Sequence, residues 1–224
     1  MSITSNVYKR LGSLLSKHHT GLVKFKEGDK TNVFNLIKKI KGERKFLLRY
    51  TEAYNLYSIT RNTAKIDGAI AEVGTFNGAS AKLISLAKGN KPFYIFDSFE
   101  GLPPTEEVDA KHFHEGQFQS NFDVVKKYLS EFDNVHIYKG FFPQKNSEAV
   151  ENVSFSFVHL DVDLYDSTLK CLEFFYPRLN KGGCLVSHDY YAEGVYKAFK
   201  EFFADKTEPI IELPEDQAMI VKLS

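Results

Sequence analysis

From about Asp67 onward the 224-residue chain alternates short apolar runs with amphipathic segments, and this order restricts its fold more than any other feature. "AIAEVG" (Ala69–Gly74) is the first strand candidate, followed by a helical stretch with Ala79, Leu83 and Leu86 on one face. "PFYIFD" (Pro92–Asp97), "NVHIYKG" (Asn134–Gly140), "FSFVHLD" (Phe155–Asp161) and "GGCLVSHD" (Gly182–Asp189) are the next strands. Between them lie two stripes at helical spacing: Phe122, Val125, Leu129 and Phe132, then Leu169, Leu172, Phe175 and Leu179. A last stripe, Val195, Ala198, Phe199 and Phe202, precedes "EPIIELP" and "QAMIVKLS", two strands with only a short turn between them. Strict alternation predicts an α/β fold with a mostly parallel sheet of seven strands, helices on both faces and one antiparallel strand at the end. In such a sheet ligands bind beyond the C-terminal ends of the strands.

Residues 1–66 read as an N-terminal helical extension, with "RYTEAYNLYSITRNTA" its most helical portion, and residues 67–224 as the domain that carries the sheet. The first fifty residues hold nine Lys and three Arg against two Glu and one Asp, although the whole chain is formally neutral. That local surplus reads as a solvated face or a subunit contact, and so suggests a homodimer; no nucleic-acid-binding signature accompanies it. The opening "MSITSNVYKRLGSLLSKHH" has no apolar run of signal-peptide length, and no stretch approaches a membrane span. Cys171 and Cys184 sit in apolar segments without zinc-type spacing and read as buried thiols. The expectation is a cytoplasmic protein that engages neither nucleic acid nor membrane. Phe99–Ser120, "FEGLPPTEEVDAKHFHEGQFQS", has no period; such a length inside a compact domain suits a lid, with His112, His114 and Gln117 as candidate ligand contacts.

The residues just past the strand ends carry the chemistry. In "EVGTFNGAS", Gly74 and Gly78 allow close backbone approach and a turn into a helix N-terminus, although Asn77 and Ala79 interrupt the full dinucleotide fingerprint. Asp97 ends the next strand, at the distance expected of an acid that accepts from two ribose hydroxyls. Together these point to a nucleoside-containing cofactor. Asp161 ends the fourth strand and His188–Asp189 the fifth, so the three converge, and two carboxylates with an imidazole suit a divalent cation. Asp163 reads as support for the site. Asp166 precedes "STLKCLEFF" and reads as the cap of the following helix.

These blocks, in this order, resemble the macrocin O-methyltransferase family, S-adenosylmethionine-dependent enzymes that methylate sugar hydroxyls of macrolide and aminocoumarin antibiotics. The resemblance covers about residues 46–223 and rests on "AEVGTFNGASAKLI", "FDSFEGLP", "EGQF", "HLDVDLYDST", "FFYPRLNKGGCLVSHDYY" and "QAMIVK". It implies a Rossmann-like class I methyltransferase fold, S-adenosyl-L-methionine as cofactor, and a sugar, sugar-containing natural product or glycan as acceptor. Glu72, Gly74 and Gly78 would line the cofactor pocket, with Asp97 on the ribose, Ser98 beside it, Gly140 and Phe141 at the adenine, and Asp161 bordering both cofactor and acceptor.

In the family, the acid matching Asp161 and an Asp–Asp pair hold a magnesium ion that orients the acceptor, and the acid matching Asp161 is also considered the general base. Here His188 stands where the first acid of the pair is expected, and magnesium is seldom held by imidazole. Three outcomes follow: His188 ligates a softer metal such as manganese or iron, acts as the general base, or the metal is absent. Asp161 and His188 are thus the catalytic candidates, and Asp161, His188 and Asp189 the candidate ligands of a magnesium or manganese ion. Two other classes compete. "DVD" (Asp161–Asp163) matches the DxD of metal-dependent glycosyltransferases but leaves "EVGTFNG" and Asp97 unexplained. A catalytically silent cofactor-binding scaffold is the second.

Overall fold

In the computed structural model, which describes residues 28–224 together with 15, 21 and 23–26, seven strands form one sheet in the order β3-β2-β1-β4-β5-β7-β6. The strands are β1 (Ala69–Val73), β2 (Phe93–Asp97), β3 (Val135–Lys139), β4 (Phe155–Leu160), β5 (Leu179–Ser187), β6 (Ile211–Glu212) and β7 (Ala218–Val221). β1 to β5 pair in parallel, and β7 runs antiparallel to both β5 and β6. The helices are α1 (Lys30–Glu43), α2 (Tyr50–Thr63), α3 (Ala79–Ala87), α4 (Phe122–Tyr128), α5 (Tyr165–Phe175) and α6 (Glu193–Phe202). This is the doubly wound α/β fold that the alternation predicts, with its antiparallel strand at the C-terminus.

Central β1 and β4 are buried at every position, as strands covered on both faces must be. Alternate residues feed two cores. Ile70, Phe93, Ile95 and Phe157 pack with Ile37 and Ile40 of α1, Leu56 of α2 and Leu83 of α3. Ala71, Val73, Val158 and Leu160 pack with Leu172 and Phe175 of α5 and Phe199 of α6. The extension's two described helices are therefore integral to one core. The helical content expected over residues 1–27 falls almost wholly outside the described residues. Among the described residues no helix is long and apolar enough to cross a membrane.

Several boundaries differ from expectation, among them α4, which ends at Tyr128 and leaves Leu129 and Phe132 of its stripe beyond it. The stripe ending at Leu179 suggests one helix, but α5 stops at Phe175, a 3-10 turn covers Tyr176–Arg178, and Leu179 opens β5. Pro177 lacks the N–H that a continuing helix requires. The strand expected over "EPIIELP" shrinks to Ile211–Glu212 at the exposed sheet edge.

The chain winds outward from β1 to β3, then returns to lay β4 on the other side of β1. At that switch point Gly74 N donates to Phe96 O (2.9 Å), Asp161 N to Val73 O (2.9 Å) and His188 N to Leu160 O (2.9 Å). Gly74 has φ +83°, and a Cβ there would meet Asp161 O at 1.9 Å. Gly74→Ala is expected to lower stability by at least about 1–3 kcal/mol, from left-handed strain and the backbone clash together, as read by urea unfolding. A loss under about 0.5 kcal/mol, within the range of neutral surface changes, would show that β1 and β4 do not grip each other at this point.

Candidate functional site

The switch point opens a cavity of about 970 Å³ including its mouth, walled by Leu47, Val73, Phe76, Phe96 and Phe142. Of the residues expected there, Gly74, Asp97, Ser98, Gly140, Phe141, Asp161, His188 and Asp189 all line it, and so does Asp163. Glu72 and Gly78 do not. Glu72 is fully buried within the sheet, where Oε1 lies 2.9 Å from Nδ1 of equally buried His159, its register partner on β4. Gly78 turns the chain into α3 with φ +84°, and its open side faces Val125 of α4 rather than the cavity. Glu72 lies within β1 and Gly78 at the start of α3, and each is packed against a neighbouring element.

At one end of the cavity Asp97 organises the glycine turn. Its Oδ2 accepts from Thr75 N and Phe76 N, each at 2.8 Å, and its Oδ1 from Phe99 N at 2.6 Å. Burial pushes its pKa up, opposed by these three N–H groups. Three bonds leave lone-pair capacity on a carboxylate, so Asp97 retains an acceptor site facing the cavity. Ser98 Oγ donates to Gly101 O (2.7 Å), fixing the first bend of the loop that follows.

That loop, residues 99–120, adds Gly101, Leu102, Pro103, Phe113, Gln117 and Phe118 to the cavity wall. Leu102 N donates to Gln117 O and Gly116 N to Leu102 O, each at 2.9 Å, which closes the loop on itself. Phe113, Gln117 and Phe118 reach the cavity, whereas His112 and His114 are exposed and absent from its wall. Phe118 meets Phe76 edge-on at 5.9 Å, and both adopt left-handed φ values, as do Phe99, Asp163 and Asp189. Such strain gathered around one cavity is typical of functional sites.

Asp109, within that loop, ties it to the start of α5. Its carboxylate, 3% exposed, accepts Tyr165 N at 3.1 Å and seats against Gly194, where a Cβ would lie 1.8 Å from Oδ1. Asp109 thus caps α5, the part expected of Asp166. Asp166 instead lies in the first turn of α5, where helix polarity favours its charge, and pairs with Lys170 at 2.6 Å.

At the cavity's other end the fourth and fifth strands deliver the charged cluster. His188 Nδ1 lies 2.7 Å from Asp189 Oδ2 and 3.3 Å from Asp161 Oδ1, and Nε2 lies 3.5 Å from Glu52 Oε2. Glu52, 1% exposed, comes from α2 and also accepts Arg49 N (2.6 Å) and Asp216 N (3.2 Å). Burial opposes charge on the ring, but Asp161, Asp189 and Glu52 outweigh it and hold the His188 pKa far above the ordinary histidine range. Burial likewise raises Asp161 and Glu52, and the His188 charge more than reverses this, leaving both carboxylates lowered. Asp163 goes the other way: burial and the neighbouring Asp161 and Asp189 raise its pKa well above the carboxylate range.

The carboxylates around His188 favour its charged form, which suits an electrostatic part alongside the base expectation. Asp161, His188 and Asp189 do offer one ligand atom each within 4.8 Å of one another. As a magnesium site the set fits poorly, because it provides two carboxylates with a ring nitrogen hydrogen-bonded to one of them. Glu52 and Asp109 were not singled out from the sequence. Glu52 had a signal: it lies on the stripe Glu52, Leu56, Thr60 and Thr63, an acid on the buried face of α2.

A model of the family described as Macrocin-O-methyltransferase (TylF) matches residues 53–219. A Streptomyces olivaceus protein, 8-demethyl-8-(2,3-dimethoxy-alpha-L-rhamnosyl)-tetracenomycin-C 4'-O-methyltransferase, is 28% identical over 153 residues. That match takes in 61% of this chain and 58% of the relative, less than two thirds of the relative's length. The solved O-methyltransferase NovP superposes with TM-score 0.70 at 19% identity, over 80% of this chain and 82% of that one. CalS11, a calicheamicin methyltransferase, superposes with TM-score 0.67 at 18% identity, over 90% and 98%. At these identities the two structures establish the fold, which is that of class I O-methyltransferases.

Two outcomes test the geometry. His188 carries a raised pKa, so its stabilisation is full below about pH 6.5 and is lost as pH rises toward its folded-state value. The lowered acids contribute above about pH 4.5 and lose that contribution as pH falls. The stability gap between wild type and His188→Asn is therefore expected to peak near pH 5–6.5 and to shrink above it by about 1.4 kcal/mol per pH unit, read by urea unfolding at stepped pH. A gap that stays flat from pH 6 to 8 would contradict the cluster. Asp109→Ala is expected to cost about 1 kcal/mol and to speed amide exchange across residues 101–118; unchanged exchange would show that the lid is held elsewhere.

Proposed function

The chain belongs to the macrocin O-methyltransferase family, and on that premise we propose that it transfers a methyl group from S-adenosyl-L-methionine to a hydroxyl of a sugar, a sugar-containing natural product or a glycan. One observation carries the reading: a single apolar cavity joins a glycine turn organised by Asp97 to a carboxylate cluster at the ends of β4 and β5. The first end suits a nucleoside and the second a polyhydroxylated acceptor.

A cofactor held there would supply an electrophilic sulfonium methyl group, with a neutral thioether as its leaving group. The chain's own residues do the rest. Asp97 accepts from ribose hydroxyls with its remaining lone pairs, Gly74 keeps the turn free of side chain, and Gly140 and Phe141 flank the base. Asp161 and Asp189 accept hydrogen bonds from the acceptor and so set the attacking oxygen in line. Asp161 takes the hydroxyl proton. A lowered carboxylate is a weak base, yet it suffices, because the oxygen becomes strongly acidic once it bonds to carbon. His188 keeps Asp161 ionised for that task. The lid excludes water, a competing nucleophile for the methyl group.

The glycosyltransferase reading loses its footing, since residues 53–219 match the macrocin O-methyltransferase family. The reading extends to a cytoplasmic enzyme of carbohydrate or natural-product biosynthesis. The basic surplus of the first fifty residues supports a homodimer.

Calorimetry with S-adenosylhomocysteine and transfer of labelled methyl from the cofactor to a panel of nucleotide sugars and glycosides test the proposal together. Asp97→Ala is expected to weaken cofactor binding about tenfold or more. Asp161→Asn is expected to lower kcat by about 10²–10⁴-fold with a smaller change in cofactor affinity. No measurable affinity for the cofactor or its demethylated product sinks the proposal. Tight cofactor binding without transfer to any acceptor favours the silent scaffold.

A further inference from the structure

We infer that Asp109 is a positioning residue for the acceptor end of the cavity: it wedges between the first turns of α5 and α6 and so fixes the two segments, Asp161–Leu164 and His188–Ala192, that lead into those helices. The inference deepens the methyl-transfer reading and rests on it for the use of that end, but its geometry stands alone. Of residues 102–120, Asp109 alone is buried, at 3% exposure. Its two oxygens share one donor, Tyr165 N, at 3.2 and 3.1 Å. One shared N–H repays little of the cost of taking a carboxylate out of water. An apolar side chain would bury at less cost, so the acid answers a need of the elements it meets.

Both helices lack a cap of their own. Leu164 and Ala192 occupy the N-cap positions of α5 and α6, and neither side chain can accept a hydrogen bond. Asp109 supplies the missing acceptor to α5 and sets its carboxylate beside the N-terminal turn of α6, where helix polarity favours negative charge. The seam is narrow: a Cβ on Gly194 would overlap Asp109 Oδ1 and come within 3.0 Å of Tyr165 N, so a side chain there would part the helices. Each helix follows directly on a strand-end segment. Asp161–Leu164 joins β4 to α5 and carries Asp161 and Asp163, and His188–Ala192 joins β5 to α6 and carries His188 and Asp189. The base of the loop is tied to the opposite end of the cavity, where Ser120 Oγ donates to Phe76 O (2.5 Å) and Phe118 packs on Phe76. One segment therefore spans from the glycine turn to the starts of both helices.

Hydrogen exchange of the full chain, read by mass spectrometry without cofactor, is the test. Asp109→Ala is expected to speed exchange at least about threefold in three places at once: the loop, residues 162–168 and residues 188–196. Asp109→Asn, which keeps a carbonyl oxygen for Tyr165 N, is expected to recover most of that protection. Faster exchange confined to the loop overturns the inference, and so does an Asn variant that exchanges as fast as the Ala variant. In methyl-transfer assays Asp109→Ala is expected to lower kcat about tenfold while S-adenosylhomocysteine affinity stays within about twofold of wild type. Equal losses in the two would mark a general loosening of the fold and also overturn it. Since exchange is read without turnover, a failure of methyl transfer and a failure of this inference are separate results.

Discussion

Carboxylates crowded at the end of a buried sheet repel one another and lose their hydration, and the interaction that makes the arrangement tenable here is the His188 ring between Asp161 and Asp189 with Glu52 behind it. The strand ends, the helical extension and the C-terminal turn all meet at that ring. β4 and β5 bring Asp161 and His188 side by side through parallel pairing, and α2 brings Glu52. The backbone of Asp216, just before β7, gives Glu52 an N–H. Removing any one of these elements leaves charge uncompensated in a partly buried site.

The opposite end of the cavity is organised without ionic pairing. Asp97 takes three backbone N–H groups, and the bends at Gly74 and Gly101 are too tight for a side chain. Gly101 would place a Cβ 2.4 Å from Gly116 O, so the two ends of the lid can touch only because no side chain intervenes. One end of the cavity is thus shaped by backbone and the other by charge, and the apolar wall between them keeps the two environments apart.

The strands, their order of appearance and the residues just beyond them were legible in the sequence, because a period of apolar residues ending in a glycine or an acid is a local signal. Asp97, Asp161, His188 and Asp189 were found that way. Glu72 and Gly78 satisfied the same local pattern, but which side of a strand end faces the cavity depends on the neighbouring strand, and His159 and Val125 claimed them. The cap of α5 was assigned to the nearest acid in sequence, Asp166, whereas the lid supplies Asp109 from 56 residues away. Glu52 follows the same rule: its buried position on the helix is readable, but its partner His188 lies just past a distant strand. Contacts across the fold, rather than within an element, are what the sequence concealed.

The pairing of Glu52 with His188 also has a consequence for biogenesis. On the ribosome α2 emerges long before β5, so Glu52 spends most of synthesis in water, and its carboxylate is desolvated only when the last third of the chain docks. The charged centre is therefore among the latest parts of the molecule to assemble, and a nascent chain arrested before β5 lacks it altogether.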